Sequence, residues 1–157
     1  MVIGVGNILH GDDGLGVHTI EQLRRESLPP QVKILDGGTA GIDLLYLLEG
    51  AEHALFVDSL DAGDEPGAMF RIPWEVLADD VPGQQQMTSL HDFNLWAVLS
   101  LADKLGKMPS VLIFGIQPGN IEFGAGLSPS VSGAIPLLVQ AIKKEILVLC
   151  EKHDCEK

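Results

Sequence analysis

Two adjacent carboxylates stand where the first predicted strand of this sequence leads into its first predicted helix. The segment GVGNILHGDDGLGV, residues 4–17, begins as nucleotide-binding loops do, with an apolar strand followed by glycines. A dinucleotide loop, however, requires a third glycine where Leu9 stands, and a bound phosphate would meet Asp12 and Asp13 at the helix N-terminus. Each carboxylate would repel a contacting anion by roughly 1–4 kcal/mol. The segment therefore argues against nucleotide binding and favours a bound cation.

Local structure offers an alternative interpretation of Asp12 and Asp13. Aspartate is a favoured N-cap residue, and acidic side chains in a first turn interact favourably with the helix dipole. Capping would account for one of the two carboxylates. The second makes the loop more acidic than a cap requires, and a cation would relieve that repulsion.

Two further side chains could complete a cation site. Asp58 directly follows the apolar residues 54–57, and His91 lies in a capping-box pattern at the start of a predicted helix. The helix dipole there disfavours the imidazolium form, which leaves a neutral ring able to bind a metal. Together with Asp13 these ligands suit zinc or nickel, with cobalt or manganese as alternatives.

Each of these ligands also has a simpler interpretation. Asp58 could only form a turn, and His91 could be a surface or capping residue. The spacing of Asp13, Asp58 and His91 matches no short metal motif, and His10 is a rival ligand three residues before Asp13. The pattern alone therefore leaves the cation site as one hypothesis among these alternatives.

The elements that must position these side chains alternate between strand and helix. A strand predicted over residues 68–72 follows the third strand after only about ten residues, too few for a parallel crossover, so we predict an antiparallel edge strand. The pattern predicts a single α/β domain over residues 1–157, a three-layer α/β/α sandwich whose twisted sheet has about five mostly parallel strands. The other strands are predicted at 2–5, 32–35, 54–57 and 111–116, and the helices at 13–27, 41–48, 92–105 and 129–151.

Ligands of such sheets bind beyond the carboxyl ends of the strands. The loops predicted there read GNILHGDDG, DGGTAG, DSLDAGDEPG and GIQPGNIEFG, and they are the polar, glycine-rich connections of the chain. We therefore expect Asp13, Asp58 and His91 to meet at that edge of the sheet.

Composition restricts the partners of the chain. It has 22 acidic and 10 basic residues among 157, a net charge of −12, whereas nucleic-acid binding requires clustered Lys and Arg. We expect no nucleic-acid partner and no membrane association, because no apolar run reaches the roughly 18 residues of a membrane span. The first residues lack a basic signal-peptide start, so a cytoplasmic protein is expected. Cys150 and Cys155 are not a CxxC pair and are expected to be free thiols.

Five segments together resemble the [NiFe]-hydrogenase maturation endopeptidases. They are GVGNILHGDDGLGV, DGGTAG, VDSLDAGDEPG, LHDFNL and FGIQPGNIEFGAGLSP, and the resemblance extends from residue 2 to residue 146. It implies that Asp13, Asp58 and His91 are the metal ligands. Many members of the family have Glu at the first position, so the shorter Asp13 keeps the charge but could change the metal distance.

The resemblance implies a hydrolase that cleaves a partner protein. Such an endopeptidase removes the C-terminal extension of a hydrogenase large-subunit precursor after nickel insertion, and its metal ligands bind the nickel that the substrate delivers, for which zinc or cadmium could substitute. We expect it to act as a monomer. The rival from another class is a non-enzymatic nickel-binding chaperone or adaptor that uses the same three residues.

The DGGTAG segment resembles the substrate-recognition loop of the family. Its glycines would allow close backbone approach of an extended peptide, although a tight turn is the alternative explanation. For cleavage, either the metal activates water, or the metal only docks the substrate while a carboxylate such as Asp36 acts as general base. The residues of this segment are Asp36, Gly37, Gly38, Thr39, Ala40 and Gly41.

Overall fold

A mixed β-sheet forms the middle layer of the protein. The computed structural model describes residues 1–78, 88–89, 95–106 and 108–155. Six strands are found in this part of the chain: β1 (Val2–Val5), β2 (Ile34–Gly38), β3 (His53–Asp61), β4 (Met69–Pro73), β5 (Thr88–Ser89) and β6 (Ser110–Ile116). Their order is β2-β1-β3-β6-β4, and β5 pairs with β3 beside this path.

The strand directions confirm the predicted fold class. Strands β2, β1, β3 and β6 are parallel to one another, and β4 is antiparallel to β6 at the edge of the sheet. The short β5, antiparallel to the end of β3, was not predicted, because two residues are too few to show a strand period. The polar loop predicted over residues 81–87 lies outside the described residues.

Helices cover both faces of the sheet. Two predicted helices begin as 3₁₀ turns, Gly11–Gly14 and Gly41–Asp43, which continue into α-helices, and the predicted start of a third at 92–94 lies outside the described residues. One short helix after β4 was not predicted. The α-helices are α1 (Leu15–Leu23), α2 (Leu44–Leu47), α3 (Trp74–Ala78), α4 (Leu95–Lys104) and α5 (Pro129–Cys155). Within the described residues, no helix, the 27-residue α5 included, is both long and apolar enough to cross a membrane.

Side chains of β3 alternate between two hydrophobic cores, as expected for a central strand buried on both faces. Leu55 and Val57 belong to the core that α1 and α5 cover. Ala54 and Phe56 belong to the core that α2, α3 and α4 cover. These two cores make the protein the predicted three-layer sandwich.

The first turn of α1 packs directly on the backbone of the sheet. A Cβ atom on Gly16 would lie 2.1 Å from the carbonyl oxygen of Val5 and 2.5 Å from that of Val57. A Cβ atom on Gly4 would lie 2.2 Å from the carbonyl oxygen of Gly16. Only glycine fits at these two positions, and the close approach holds the Gly11–Gly14 turn against the carboxyl end of β3.

Candidate functional site

The Gly11–Gly14 turn buries two neighbouring carboxylates that have different partners. Asp12 is 0% exposed and Asp13 is 5% exposed. The residues at the N-cap positions of this turn and of α1 are His10 and Gly14, and neither makes a side-chain capping hydrogen bond. Neither aspartate is therefore an N-cap residue, although both lie in the first turn of Gly11–Gly14, where acidic side chains suit the helix dipole. The contacts of each carboxylate need their own explanation.

Asp12 cross-links two loops. Its Oδ2 accepts hydrogen bonds from the backbone N–H groups of Gly119 and Asn120, each at 2.8 Å, and its Oδ1 accepts one from Ser128 at 2.6 Å. The backbone N–H of Asp12 also donates to the carbonyl oxygen of Asn120 at 2.7 Å. The buried charge is thus stabilised by three backbone donors of the loop between β6 and α5, which indicates a structural role.

Asp13 faces the end of β3 instead. Its Oδ2 accepts a hydrogen bond from the backbone N–H of Asn7 at 3.0 Å, and its Oδ1 accepts one from the hydroxyl of Ser59 at 3.3 Å. The position follows from the turn, in which the N–H of Asp13 donates to the carbonyl oxygen of His10 at 3.0 Å. The turn therefore aims the second of the two aspartates at β3.

Asp58 lies inside β3 rather than after it. The sequence predicts that the strand ends at residue 57, but β3 continues to Asp61 because it pairs with β6 as far as Ser59 and with β5 at Leu60 and Asp61. Its pairing with β1 ends at Val57, so Asp58 is the first residue of β3 beyond that neighbour. The side chain is 0% exposed, and its Oδ1 accepts a hydrogen bond from the N–H of Ser59 at 2.8 Å.

Ser59 joins the two predicted acidic ligands. Its hydroxyl donates to Asp13 and its backbone N–H donates to Asp58, so both carboxylates lie around one fully buried residue. The structure thus brings together two of the three predicted ligands. Sequence analysis missed Ser59, because its hydrogen bond to a residue 46 positions away leaves no local pattern.

The third predicted ligand, His91, lies outside the described residues. Within the described part of the chain, no group of three or more His, Cys, Asp or Glu side chains could hold a metal ion. Of the three predicted ligands, Asp13 and Asp58 are therefore the two that lie within the described residues. Two buried carboxylates around one hydroxyl provide the hard oxygen ligands that a divalent cation prefers, and a bound cation would offset the cost of burying their charge.

The rival ligand His10 contacts another loop. Its ring packs edge-on against Phe123, with ring centroids 5.4 Å apart and an interplanar angle of 71°. Phe123 belongs to the same loop between β6 and α5 that Asp12 holds. This contact assigns His10 to the packing of the two loops.

The second strand was predicted to end at residue 35, but Asp36, Gly37 and Gly38 continue β2 through pairing with β1, and a turn follows them. Asp36 is exposed, and its Oδ1 accepts a hydrogen bond from the N–H of Gly38 at 2.9 Å. Gly38 and Gly41 have φ angles of 43° and 54°, a left-handed conformation that favours glycine. The N–H of Gly6 donates to the carbonyl oxygen of Gly38 at 2.9 Å, which joins this turn to the loop after β1. The turn role is thus shown for these glycines, and substrate contact by residues 36–41 stays a prediction.

Gln117 fixes the loop after β3. Its side-chain oxygen accepts hydrogen bonds from the N–H groups of Ala62 at 2.8 Å and Asp64 at 3.2 Å, and its amide nitrogen donates to Asp61 at 3.0 Å. This bond, with a second from the N–H of Gly63, holds the pKa of Asp61 below its usual value. Sequence analysis missed Gln117, because an isolated glutamine after a strand carries no distinctive pattern.

Comparisons with known proteins find one family. The hydrogenase maturation protease family (HycI) matches residues 17–145, a range that includes Asp58 and His91 but begins after Asp13. The hydrogenase expression/formation protein HupD of Bradyrhizobium diazoefficiens is 41% identical over 141 residues, which cover 86% of this chain and 71% of the relative. The hydrogenase 2 maturation protease of Escherichia coli is 37% identical over 148 residues, which cover 90% of this chain and 87% of the relative.

A solved structure has the same fold. The hydrogenase maturating endopeptidase HybD from Escherichia coli superimposes with a TM-score of 0.74 and 32% sequence identity. The match covers 90% of this chain and 87% of that chain. The fold described above is thus shared with a solved structure of a hydrogenase maturating endopeptidase.

Proposed function

Because the chain belongs to the hydrogenase maturation protease family, we propose that it removes the C-terminal extension of a [NiFe]-hydrogenase large-subunit precursor after nickel has been inserted. The single observation that supports this proposal best is the buried pair Asp13 and Asp58, joined through Ser59 at the carboxyl edge of the sheet. This edge is where α/β proteins bind their ligands.

Asp13, Asp58 and His91 are the proposed ligands of the nickel that the precursor carries. Ser89 pairs with Leu60, which is two residues after Asp58, and His91 follows Ser89 by two residues. An extended chain spans at most about 7 Å over two residues. The covalent chain therefore permits the imidazole to join the two carboxylates.

A ligand set without a thiolate suits a metal that arrives with a partner. Two carboxylates and one imidazole leave coordination positions open, so nickel already bound by the precursor could be recognised without being removed from it. Zinc or cadmium would substitute in binding experiments. The hydrogen bonds from Asn7 and Ser59 to Asp13, and from Ser59 to Asp58, orient both carboxylates before the metal arrives.

Two routes to hydrolysis are consistent with this site. The metal can polarise the scissile carbonyl and activate a water molecule, in which case the three ligands are also the catalytic residues. Alternatively the metal only docks the precursor, and Asp36, exposed at the end of β2, activates the water as general base. The variant Asp36→Asn distinguishes the two routes. It abolishes cleavage only if the second route operates, and nickel-dependent binding of the precursor persists in either case.

The experiment that tests the proposal compares two forms of one precursor. The purified protein is incubated with nickel-loaded and with nickel-free large-subunit precursor, and the mass of the large subunit is measured. Trimming of the nickel-loaded form alone supports the proposal. Binding of both forms without trimming would contradict it and would support a non-enzymatic nickel-binding adaptor.

A further inference from the structure

Two loops at the carboxyl edge of the sheet expose large apolar side chains. Ile8 and Leu9, after β1, are each 54% exposed, and Ile121 and Phe123, after β6, are 43% and 74% exposed. We call these four side chains the rim patch. Exposed apolar groups that cluster beside a functional site are typical of protein–protein contact surfaces.

Backbone and ring contacts join the loop that carries Ile8 and Leu9 to the loop that carries Ile121 and Phe123. The N–H of Gly124 donates to the carbonyl oxygen of Leu9 at 2.8 Å, and the His10 ring packs on Phe123. At Gly11, whose φ is +53°, a Cβ atom would lie 3.4 Å from the Cα of Ile121. The three hydrogen bonds to Asp12 also join the Gly11–Gly14 turn, which follows Ile8 and Leu9, to the loop that carries Ile121 and Phe123. The patch is therefore a fixed part of the fold.

The rim patch adjoins the proposed nickel site. Ile8 directly follows Asn7, whose N–H donates to Asp13, and a Cβ atom on Gly14 would lie 2.9 Å from the Cα of Ile8. A protein that places its metal centre at Asp13 and Asp58 would therefore cover the patch as well.

Charges around the patch all have one sign. The loops at this edge, residues 6–14, 36–43, 58–68 and 117–128, contain no Lys or Arg. The basic residues lie elsewhere, for example Arg24 and Arg25 beyond the end of α1 and Lys143 in α5. Exposed acidic side chains in these loops are Asp36, Asp43, Asp61, Asp64, Glu65 and Glu122.

We propose that the rim patch docks the precursor through an apolar surface that Lys and Arg residues border. The proposal rests on the proposed function and adds the chemistry of the partner surface. A second copy of this chain is the less suitable occupant, because a symmetric dimer would bring the acidic loops of both copies together. The apolar contact supplies affinity, and the acidic loops raise the rate of association with a cationic partner.

Matched variants test the apolar half of the proposal. The dissociation constant for nickel-free and nickel-loaded precursor is measured for Phe123→Ser and Ile8→Ser, with Leu137→Ser and Leu147→Ser in α5 as controls. The control side chains are 63% and 54% exposed, so the four substitutions remove comparable exposed apolar groups. We expect the patch variants to bind about tenfold more weakly, and the controls to bind as the wild type does. The melting temperature should be lowered slightly in Phe123→Ser, which loses its ring contact with His10, and unchanged in the other three.

Two matched charge-reversal variants test the electrostatic part of the proposal. Glu122→Lys and Glu49→Lys change the net charge equally, but Glu122 lies between the two patch residues of its loop, whereas Glu49 lies before β3 at the opposite edge of the sheet. We expect Glu122→Lys to slow association several-fold at low salt and to weaken its salt dependence, and Glu49→Lys to leave both unchanged.

The outcomes separate this proposal from the proposed function. If the wild type trims the precursor and the patch variants bind it as tightly as the control variants do, the proposed docking surface is wrong and the protease assignment stands. Weaker binding by the patch variants without any trimming by the wild type would support the surface and overturn the protease assignment. Concentration-dependent dimerisation that Phe123→Ser abolishes, with unchanged precursor binding, would identify a second copy as the occupant and overturn the proposal.

Discussion

Asp12 and Asp13 are adjacent in sequence and both buried, yet their carboxylates have different partners. All three hydrogen bonds described for the Asp12 carboxylate come from backbone N–H groups of the loop between β6 and α5. The Asp13 carboxylate meets a serine hydroxyl that leads to a second buried acid, Asp58. The first holds two loops together, and the second belongs to a pair of charges that a cation would stabilise. The difference teaches that the surroundings of an acidic side chain, and not its burial, separate the structural role of Asp12 from the metal-binding role proposed for Asp13.

The strongest test of this comparison is the loss of a proposed ligand. Asp13→Asn, Asp58→Asn and His91→Ala are each expected to lower processing of nickel-loaded precursor by more than about a hundredfold, since ligand loss exceeds the effect of an outer-shell change. Without metal, the melting temperatures of the two asparagine variants should hold or rise, because each of them removes one of two neighbouring buried charges. Processing is followed by mass spectrometry, and full activity of any variant would remove that residue from the ligand set.

The next largest effect is expected from the structural aspartate. Asp12→Ala leaves three backbone N–H groups without their acceptor, which we expect to lower the free energy of unfolding by about 2–4 kcal/mol. Affinity for a divalent metal should change little among molecules that remain folded. Chemical denaturation and calorimetric titration measure the two quantities, and a variant with normal stability but lost metal binding would reverse the roles assigned to Asp12 and Asp13.

Ser59 provides a finer test, because it touches both acids of the proposed pair. Ser59→Ala removes the hydroxyl donor to Asp13 but keeps the N–H donor to Asp58, so we expect cadmium or nickel affinity to fall about tenfold. Ser59→Thr keeps the hydroxyl and is the matched control. The shift in melting temperature with added metal reports affinity without any precursor, and equal shifts for the alanine and wild-type proteins would show that the hydroxyl does not position Asp13.

The smallest effect is expected at Asp61, an exposed acid of the same edge. Its pKa is lowered in the folded protein by the hydrogen bonds from Gln117 and Gly63. A lowered folded-state pKa contributes stability above the unfolded-state pKa, and that contribution is lost as the pH falls through the folded value. Wild type should therefore exceed Asp61→Asn in unfolding free energy near neutral pH, and this difference should shrink in acid, whereas a pH-independent difference would contradict the assignment.

The fold followed from the sequence because strong local patterns specified it. The buried strands β1, β3 and β6 appear as continuous apolar runs, and the short connection before β4 excluded a parallel crossover. Strand ends were harder to predict, since Asp58 and Ser59 resemble a turn in sequence but continue β3 through pairing with β6 and β5. Pairing with a distant strand overrides the local preference, and a single sequence does not display it.

The site was predictable only in part for the same reason. The topology rule predicted Asp13, Asp58 and His91 at the carboxyl edge, and the resemblance selected the same three residues. The structure brings Asp13 and Asp58 together there, and His91 lies outside the described residues. The cross-link from Asp12 to Ser128 spans 116 residues, and the contact between Ser59 and Asp13 spans 46 residues. Long-range hydrogen bonds of this kind leave no local pattern, so neither contact can be predicted from a single sequence.

The contact between Gly16 and the backbone of β1 and β3 limits how this site could be transplanted. A host α/β protein with any larger residue at the equivalent helix position would hold its first helix farther from the sheet, and the acid-bearing turn would move with it. Copying Asp13, Asp58 and His91 alone into such a host would therefore place the carboxylates too far apart. A working graft needs the glycine as well, which makes a residue with no side chain part of the minimal design.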